Sequence, residues 1–371
     1  MEIFKANGFD KMLFFTTLIL ISFGLVMVFS SSAILAAEKY NRPFHFFINQ
    51  IIVAAIGVFL IILMLSTKKA FYQDNRFIYF LLFLSLFLLV LCLVMPSAGK
   101  TNRWVNFSGI RFQPSELAKI SLILFFSSYI ERKKDNLNEL KSLLIPIGVL
   151  TLFIFLILKE PDYGTAIIIS TICLTMLFIG GLKFRYFIYL GIFSFCLFGF
   201  YLLKATYRLT RISAFLYPTR DPLGSGFQVI QSKLAVGSGG LFGVSLGEST
   251  QKLFFLPCAH TDYIYAIIGE ELGLLGTLSI LLLFLILLWR GLLISSRAPN
   301  LFSQIAASGL TLAIFSQALL NISVVLGLIP PTGVPLPLIS FGRSSLVCTL
   351  FSLGILLHIS QRKTTVRQKN A

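Results

Sequence analysis

The chain is a succession of long apolar stretches separated by mostly short polar ones. Runs of about twenty mostly apolar residues, each long enough to cross a bilayer core, recur at roughly 12–34, 46–66, 77–95, 115–130, 143–158, 163–181, 186–203, 263–289, 302–328 and 338–359. This pattern predicts an all-α integral membrane protein with about ten transmembrane helices. One polar break is long, at 204–262 between the seventh and eighth spans. Its content of Phe, Leu, Val and Ile is too high for a disordered linker. Residues 226–236 within it have the spacing of a short amphipathic helix lying at the membrane surface. Residues 329–337, IPPTGVPLP, hold too many prolines for a helix and predict a rigid turn or re-entrant piece. No internal repeat of the kind that marks an inverted-repeat transporter is evident. The whole chain, 1–371, reads as one polytopic domain with a short tail at 361–371.

Only 12% of the residues are charged against 56% hydrophobic, too little charge to cover a soluble domain of this size. What charge there is sets the orientation. With the N-terminus inside, seventeen Lys and Arg fall in inside segments. Six fall in short outside loops, at Lys39, Arg42, Lys100, Arg103, Arg111 and Lys159. That asymmetry predicts cytoplasmic termini and an extracytoplasmic 204–262 loop. The net charge of +16 is then mostly topology, with some attraction to anionic membrane lipid, and implies no nucleic acid. The first apolar run is too long for a cleavable signal and reads as a signal-anchor. Of five cysteines only Cys258 lies in a loop, so neither a disulfide framework nor a zinc site is expected.

Ionisable groups at membrane depth are costly and point to function by default. Glu116 and Lys119, three apart, share a helix face; they form either a self-neutralising pair or the wall of a polar cavity. Asp162 either N-caps span six, with Thr165 three residues on, or lines a site. Asp262, at the end of the long loop, is likewise either a cap, a place Thr261 could take instead, or a general base. His260 has the bland alternative of an interfacial polar residue. Glu270 and Glu271, two turns into span eight, need a cavity, a cation or a proton. Arg103, Arg111, Arg208, Arg211, Arg220, Lys233 and Lys252 make the outer face cationic, as a long loop tolerates and as a lipid-linked phosphate would require. The glycines at 237, 239, 240, 243 and 247 form either a flexible turn or a backbone cradle for an anion.

In this order along nearly the whole chain stand GLVMVFSSS (24–32), RW (103–104), QPSELAK (113–119), EPDYGTA (160–166), GFQVIQSKLAVGSGGLFG (226–243), LPCAHTDYIYAIIGEELGLLG (256–276) and PPTGVPLPLISFGRSS (330–345). Together they resemble the SEDS family (shape, elongation, division and sporulation), of FtsW and RodA type, and are closer to FtsW. The resemblance implies a peptidoglycan glycosyltransferase in the cytoplasmic (inner) membrane. Such an enzyme polymerises lipid II on the outer face, for septal wall synthesis in cell division. Its partners would be a class B penicillin-binding transpeptidase and other division-machinery membrane proteins. It also implies an inverting displacement, with Asp262 catalytic and Arg103, Trp104, Glu116, Lys119, Asp162, Gln228, Lys233 and His260 toward substrate. A divalent cation could share the work on the pyrophosphate, although no dedicated metal motif is present. The chain departs from the family pattern in three places. Cys258 replaces the usual Glu, Arg343 replaces a Gly, and Asn49–Gln50 replaces an Arg–Gln pair. Two rivals stand beside the enzyme: a lipid II flippase, and a non-catalytic scaffold that activates a division transpeptidase.

Overall fold

The computed structural model describes residues 8–67, 70–95, 103–107, 110–203 and 206–369. Lys100 and the side chain of Arg208 lie outside the described residues. Twelve α-helices follow in chain order: α1 Lys11–Tyr40, α2 His45–Ser66, α3 Asn75–Val94, α4 Pro114–Arg132, α5 Leu140–Lys159, α6 Tyr163–Ile179, α7 Phe184–Leu203, α8 Thr206–Leu216, α9 Phe227–Ser238, α10 Ile264–Ser296, α11 Leu301–Val325 and α12 Arg343–Lys369. A short antiparallel hairpin, β1 Val105–Phe107 and β2 Ile110–Phe112, precedes α4. Among the described residues, α1, α2, α3, α5, α7, α10, α11 and α12 are long and apolar enough to cross a membrane. Helices α4 and the shorter α6 occupy the positions of the fourth and sixth expected spans.

Helix ends follow local chemistry. Asp10, Asp74, Asp162 and Asn300 cap α1, α3, α6 and α11 by accepting backbone N–H bonds. Pro114 opens α4, where its missing N–H costs nothing. Asn41 takes a left-handed conformation to end α1. The centre of the bundle is α4, α11 and α12, which are buried along most of their length. This is why α4 can carry Glu116, Lys119 and several serines: α3, α6 and α11 surround it. At the other extreme α7 packs on α6 and α8 and exposes its apolar face. At one end of the bundle Arg290 of α10 pairs with Asp10 at 2.5 Å, and the Asp10 N–H donates to Ser360 of α12.

The 204–262 loop holds α8 and α9, so its order extends well beyond the one expected helix at 226–236. Helix α9 buries Val229, Ser232 and Ala235 against α10 and α11, and the Ser232 hydroxyl donates to the Val325 carbonyl. The last span also begins later than expected. Residues 338–342 are non-helical, with Leu338 at φ 64°, and α12 starts at Arg343.

Helix α10 is broken at Gly273, with φ 64° and ψ −159°. The loop repairs the break with backbone. Val244 and Ser245 N–H groups donate to the Glu270 and Glu271 carbonyls, and Leu274 and Leu275 N–H groups donate to the Gly240 and Leu241 carbonyls. A side chain at Gly273 would begin 2.5 Å from the Gly243 nitrogen, and one at Gly243, itself at φ 81°, 2.1 Å from the Glu271 oxygen. These glycines therefore serve backbone-to-backbone contact. The two acids above the break hold the same loop. Glu270 accepts from Ser249, Thr250 and Gln251. Glu271 accepts from Ser30 and pairs with Lys252 at 2.8 Å, fully buried. Gly273→Ala is expected to lower the thermal unfolding midpoint in detergent by several degrees and to open 240–256 to limited proteolysis, because it clashes and strains a positive-φ position, at a cost of about 1–3 kcal/mol.

Candidate functional site

Asp262 sits where the loop enters α10. The turn before it is tight: Cys258 lies at φ 59°, and its carbonyl accepts the N–H groups of Thr261 and Tyr263. Tyr263 takes the cap position of α10, and no side chain caps that end. The cap alternatives for Asp262 and Thr261 are thereby excluded. The Asp262 carboxylate is half-buried and accepts no hydrogen bond among the described residues, while its main-chain carbonyl is held by the Asn321 amide at 2.8 Å. Across Gly333 it faces Arg103. A Cβ placed on Gly333 would lie 3.5 Å from the Arg103 guanidinium and 3.6 Å from the Asp262 carboxylate. Gly333, at φ 75°, thus keeps the space between the two groups clear. Desolvation raises the Asp262 carboxyl to about 6, opposed by Arg103 and Arg211 and reinforced by Asp162.

Arg103 is fixed by the turn between α5 and α6, donating to the carbonyls of Glu160 and Pro161. Trp104 beside it is 45% exposed, at the rim. The hairpin then delivers Gln113 and Ser115, which donate to Asp162 at 3.0 and 3.2 Å. Asp162 also caps α6 through the Thr165 N–H at 3.4 Å. One buried carboxylate thus joins two spans and ends a helix, so the cap alternative for Asp162 holds together with a role in the site's frame.

Glu116 and Lys119 form the expected pair at 3.0 Å, but they sit inside the bundle. Lys119 also donates to Gln317, whose amide donates to the Pro335 carbonyl at 3.2 Å. One turn further along α11, Asn321 donates to the carbonyls of both Val334 and Asp262. The proline-rich segment is held from its other side as well. Ser340 donates to the Thr261 carbonyl and accepts from Leu336 N–H, and Gln50 donates to the Ser340 carbonyl. The pair is therefore a strut that fixes the segment under Asp262.

His260 belongs to the same frame. Its carbonyl accepts the Phe341 N–H at 3.0 Å, and its ring lies 4.8 Å from Phe46 and 6.0 Å from Phe341. Desolvation, helped by Lys39, lowers it to about 4, so it is neutral at pH 7. Gln228 lines an outer cleft of ≈ 650 Å³ with Thr210, Arg211, Ser225, Pro257 and Pro331, and Arg211 donates to the Pro331 carbonyl at 2.9 Å. Lys233 is exposed, and its alkyl chain lies against Gly327. Nothing brings it to Asp262. Gln317, Asn321 and Ser340 were not singled out from sequence. The signal available was a pair of amides four apart, on one face of an otherwise apolar span. Among the described residues no group of three or more His, Cys, Asp or Glu side chains could hold a metal ion.

Known proteins share this chain's sequence and shape. A family model for cell cycle proteins, covering FtsW, RodA and SpoVE, matches residues 10–365. Stage V sporulation protein E of Bacillus subtilis is 39% identical over 96% of this chain and 98% of its own. A probable peptidoglycan glycosyltransferase FtsW of Trichlorobacter lovleyi is 40% identical over 96% and 94%. Among solved structures, a chain from a peptidoglycan synthase complex, described as coordinating polymerization and crosslinking, superposes with TM-score 0.78 and 28% identity over 96% of this chain and 98% of that one. The rod shape determining protein RodA of Thermus thermophilus gives TM-score 0.71 and 25% identity over 97% and 99%.

Asn321→Leu should strip two buried carbonyls, those of Asp262 and Val334, of their donor. The expected result is a destabilisation of about 1–3 kcal/mol, read as a lower unfolding midpoint in detergent, with the helical circular-dichroism signal intact at low temperature.

Proposed function

The chain belongs to the FtsW/RodA/SpoVE family of cell cycle proteins, and from that premise we propose that it is a peptidoglycan glycosyltransferase that polymerises lipid II on the outer face of the cytoplasmic membrane. The observation that carries this reading is the Asp262 carboxylate, open among the described residues and opposite Arg103 across Gly333. In the proposed reaction Asp262 takes the proton of the acceptor sugar hydroxyl as that oxygen bonds to the donor's anomeric carbon. The bond from that carbon to the pyrophosphate oxygen breaks, and its electron pair leaves with the undecaprenyl pyrophosphate. Arg103 and Arg211 are the cations placed to stabilise that charge in a partly water-excluded site. Displacement from the opposite side inverts the anomeric carbon. Lys119, committed to Glu116 and Gln317, acts on the frame.

The same reading takes α1–α7 and α10–α12 as ten spans, with both termini in the cytoplasm and α8 and α9 outside. A class B penicillin-binding transpeptidase would be the partner and the division septum the place of work. The state of the buried acids favours a polymerase over a flippase. Glu116, Glu270 and Glu271 are all closed off by partners, whereas a flippase needs polar groups open along its path.

Purified protein with its cognate transpeptidase should turn labelled lipid II into long glycan chains on a gel, and Asp262→Ala should make none while keeping its fold. Chains from Asp262→Ala would exclude Asp262 as the base. Chains from neither protein, with both folded, would favour the scaffold or the flippase. Glu116→Gln should lose less activity than Asp262→Ala, since it loosens a strut and leaves the base. Asp262 must be ionised to accept a proton, so kcat/KM should rise with pH through about 6 and reach a plateau near neutral pH, falling roughly tenfold per unit on the acid side.

A further inference from the structure

Glu160 follows the last turn of α5 and is completely buried, and neither of its carboxyl oxygens has a hydrogen-bond partner among the described residues. The other buried acids of the bundle all have donors. Its near neighbour Asp162 accepts from Gln113, Ser115 and the Thr165 N–H. Arg103, the nearest cation, gives its hydrogen bonds to the main-chain carbonyls of Glu160 and Pro161, and its Nη1 reaches toward Asp262. The thiol of Cys92 on α3 also acts on the Glu160 carboxyl, as a weak donor short of a formed hydrogen bond. Lys159, the adjacent cation in sequence, lies over the Phe155 ring.

We propose that Glu160 stands in the folded protein as a neutral carboxylic acid, and that its lack of charge leaves the Arg103 guanidinium to Asp262 and to the anionic leaving group. It is a positioning residue that acts through Arg103. An unpaired ionised carboxylate cannot be buried in this way without a large desolvation cost, and protonation removes that cost. Burial, with Asp162 beside it, raises Glu160 to about 9 against the pull of Arg103 and Cys92. The acid is therefore protonated at neutral pH and ionises as pH rises through about 9. Above that point a third carboxylate, beside Asp162 and Asp262, competes for Arg103. Two like groups held at opposite protonation states by their surroundings are a recurrent way of dividing roles in a site.

The role assigned to Arg103 rests on the polymerase reading, but the protonation state does not, and the test separates them. Infrared spectra of the purified protein at pH 7 should contain a protonated-carboxyl C=O band that is absent in Glu160→Gln and is lost from the parent as pH is raised past about 9. Glu160→Gln, a neutral amide of nearly the same shape, should polymerise lipid II within about threefold of the parent at pH 7. The parent should lose activity as pH rises past about 9, and Glu160→Gln should lack that loss. The absence of the band difference would overturn the neutral acid whatever the activity. A band difference with the same alkaline limb in both proteins would overturn the coupling to Arg103, as would a loss of more than tenfold in folded Glu160→Gln at pH 7. If Glu160→Gln does not fold, Cys92→Ala supplies the assignment. Removing the thiol should shift the band, and an unshifted band overturns the proposal.

Discussion

Inside a bundle that faces lipid, every backbone and charged group that is not exposed must find its partner within the protein. The break at Gly273 is the sharpest case. Interrupting α10 leaves two carbonyls and two N–H groups without helical partners, and the loop residues 240–245 supply all four. The two acids just before the break then bind the next stretch of the same loop, Glu270 through Ser249 to Gln251 and Glu271 through Lys252. Breaking a buried ion pair of this kind by removing one partner costs about 3–5 kcal/mol. The loop cannot leave the bundle without stranding these groups, so the turn that ends in Asp262 inherits a rigid starting point.

The same requirement builds the floor of the site. Proline-rich residues 331–337 have no helix to satisfy their carbonyls, and the amides of Gln317 and Asn321 do so from α11. Lys119 and Glu116 hold Gln317 in turn. A conformation that helices cannot provide, with Gly333 between a carboxylate and a guanidinium, is thereby fixed by side chains from three different spans.

Much of this was legible in the chain. Hydropathy placed each expected span on a helix, because twenty apolar residues have few other solutions in a bilayer. The motifs around Arg103, Gln113, Asp162 and Asp262 do converge on one end of the bundle, and Glu116 does pair with Lys119. The functions of individual polar residues were harder to read. Asp162 is both cap and cross-link, a pair of roles that a sequence offers only as alternatives. Glu270 and Glu271 suggested a cavity or a proton, and their donors lie some twenty residues back in a loop whose fold has no periodicity to betray it. The glycines of that loop suggested a flexible turn or an anion cradle. Two of them, Gly239 and Gly243, instead lie against the α10 backbone, a contact set by tertiary packing alone. Helix α8 went unnoticed because its polar and apolar residues balance, so a reading by apolar runs passes over it although its apolar positions share one face.

The Asp10–Arg290 pair ties α10 near one end, and the Gly273 break, filled by the loop, interrupts it toward the other. At roughly 1.5 Å per residue the helix between them is about 26 Å long, close to the apolar thickness of a bilayer. That stretch works as a gauge: it sets the distance from the Asp10–Arg290 pair to the loop that leads into Asp262. A thicker or thinner membrane would have to tilt the whole bundle or deform around it. On the polymerase reading, bilayer composition thereby becomes a physical input to where the sugar of a membrane-tethered substrate would meet Asp262.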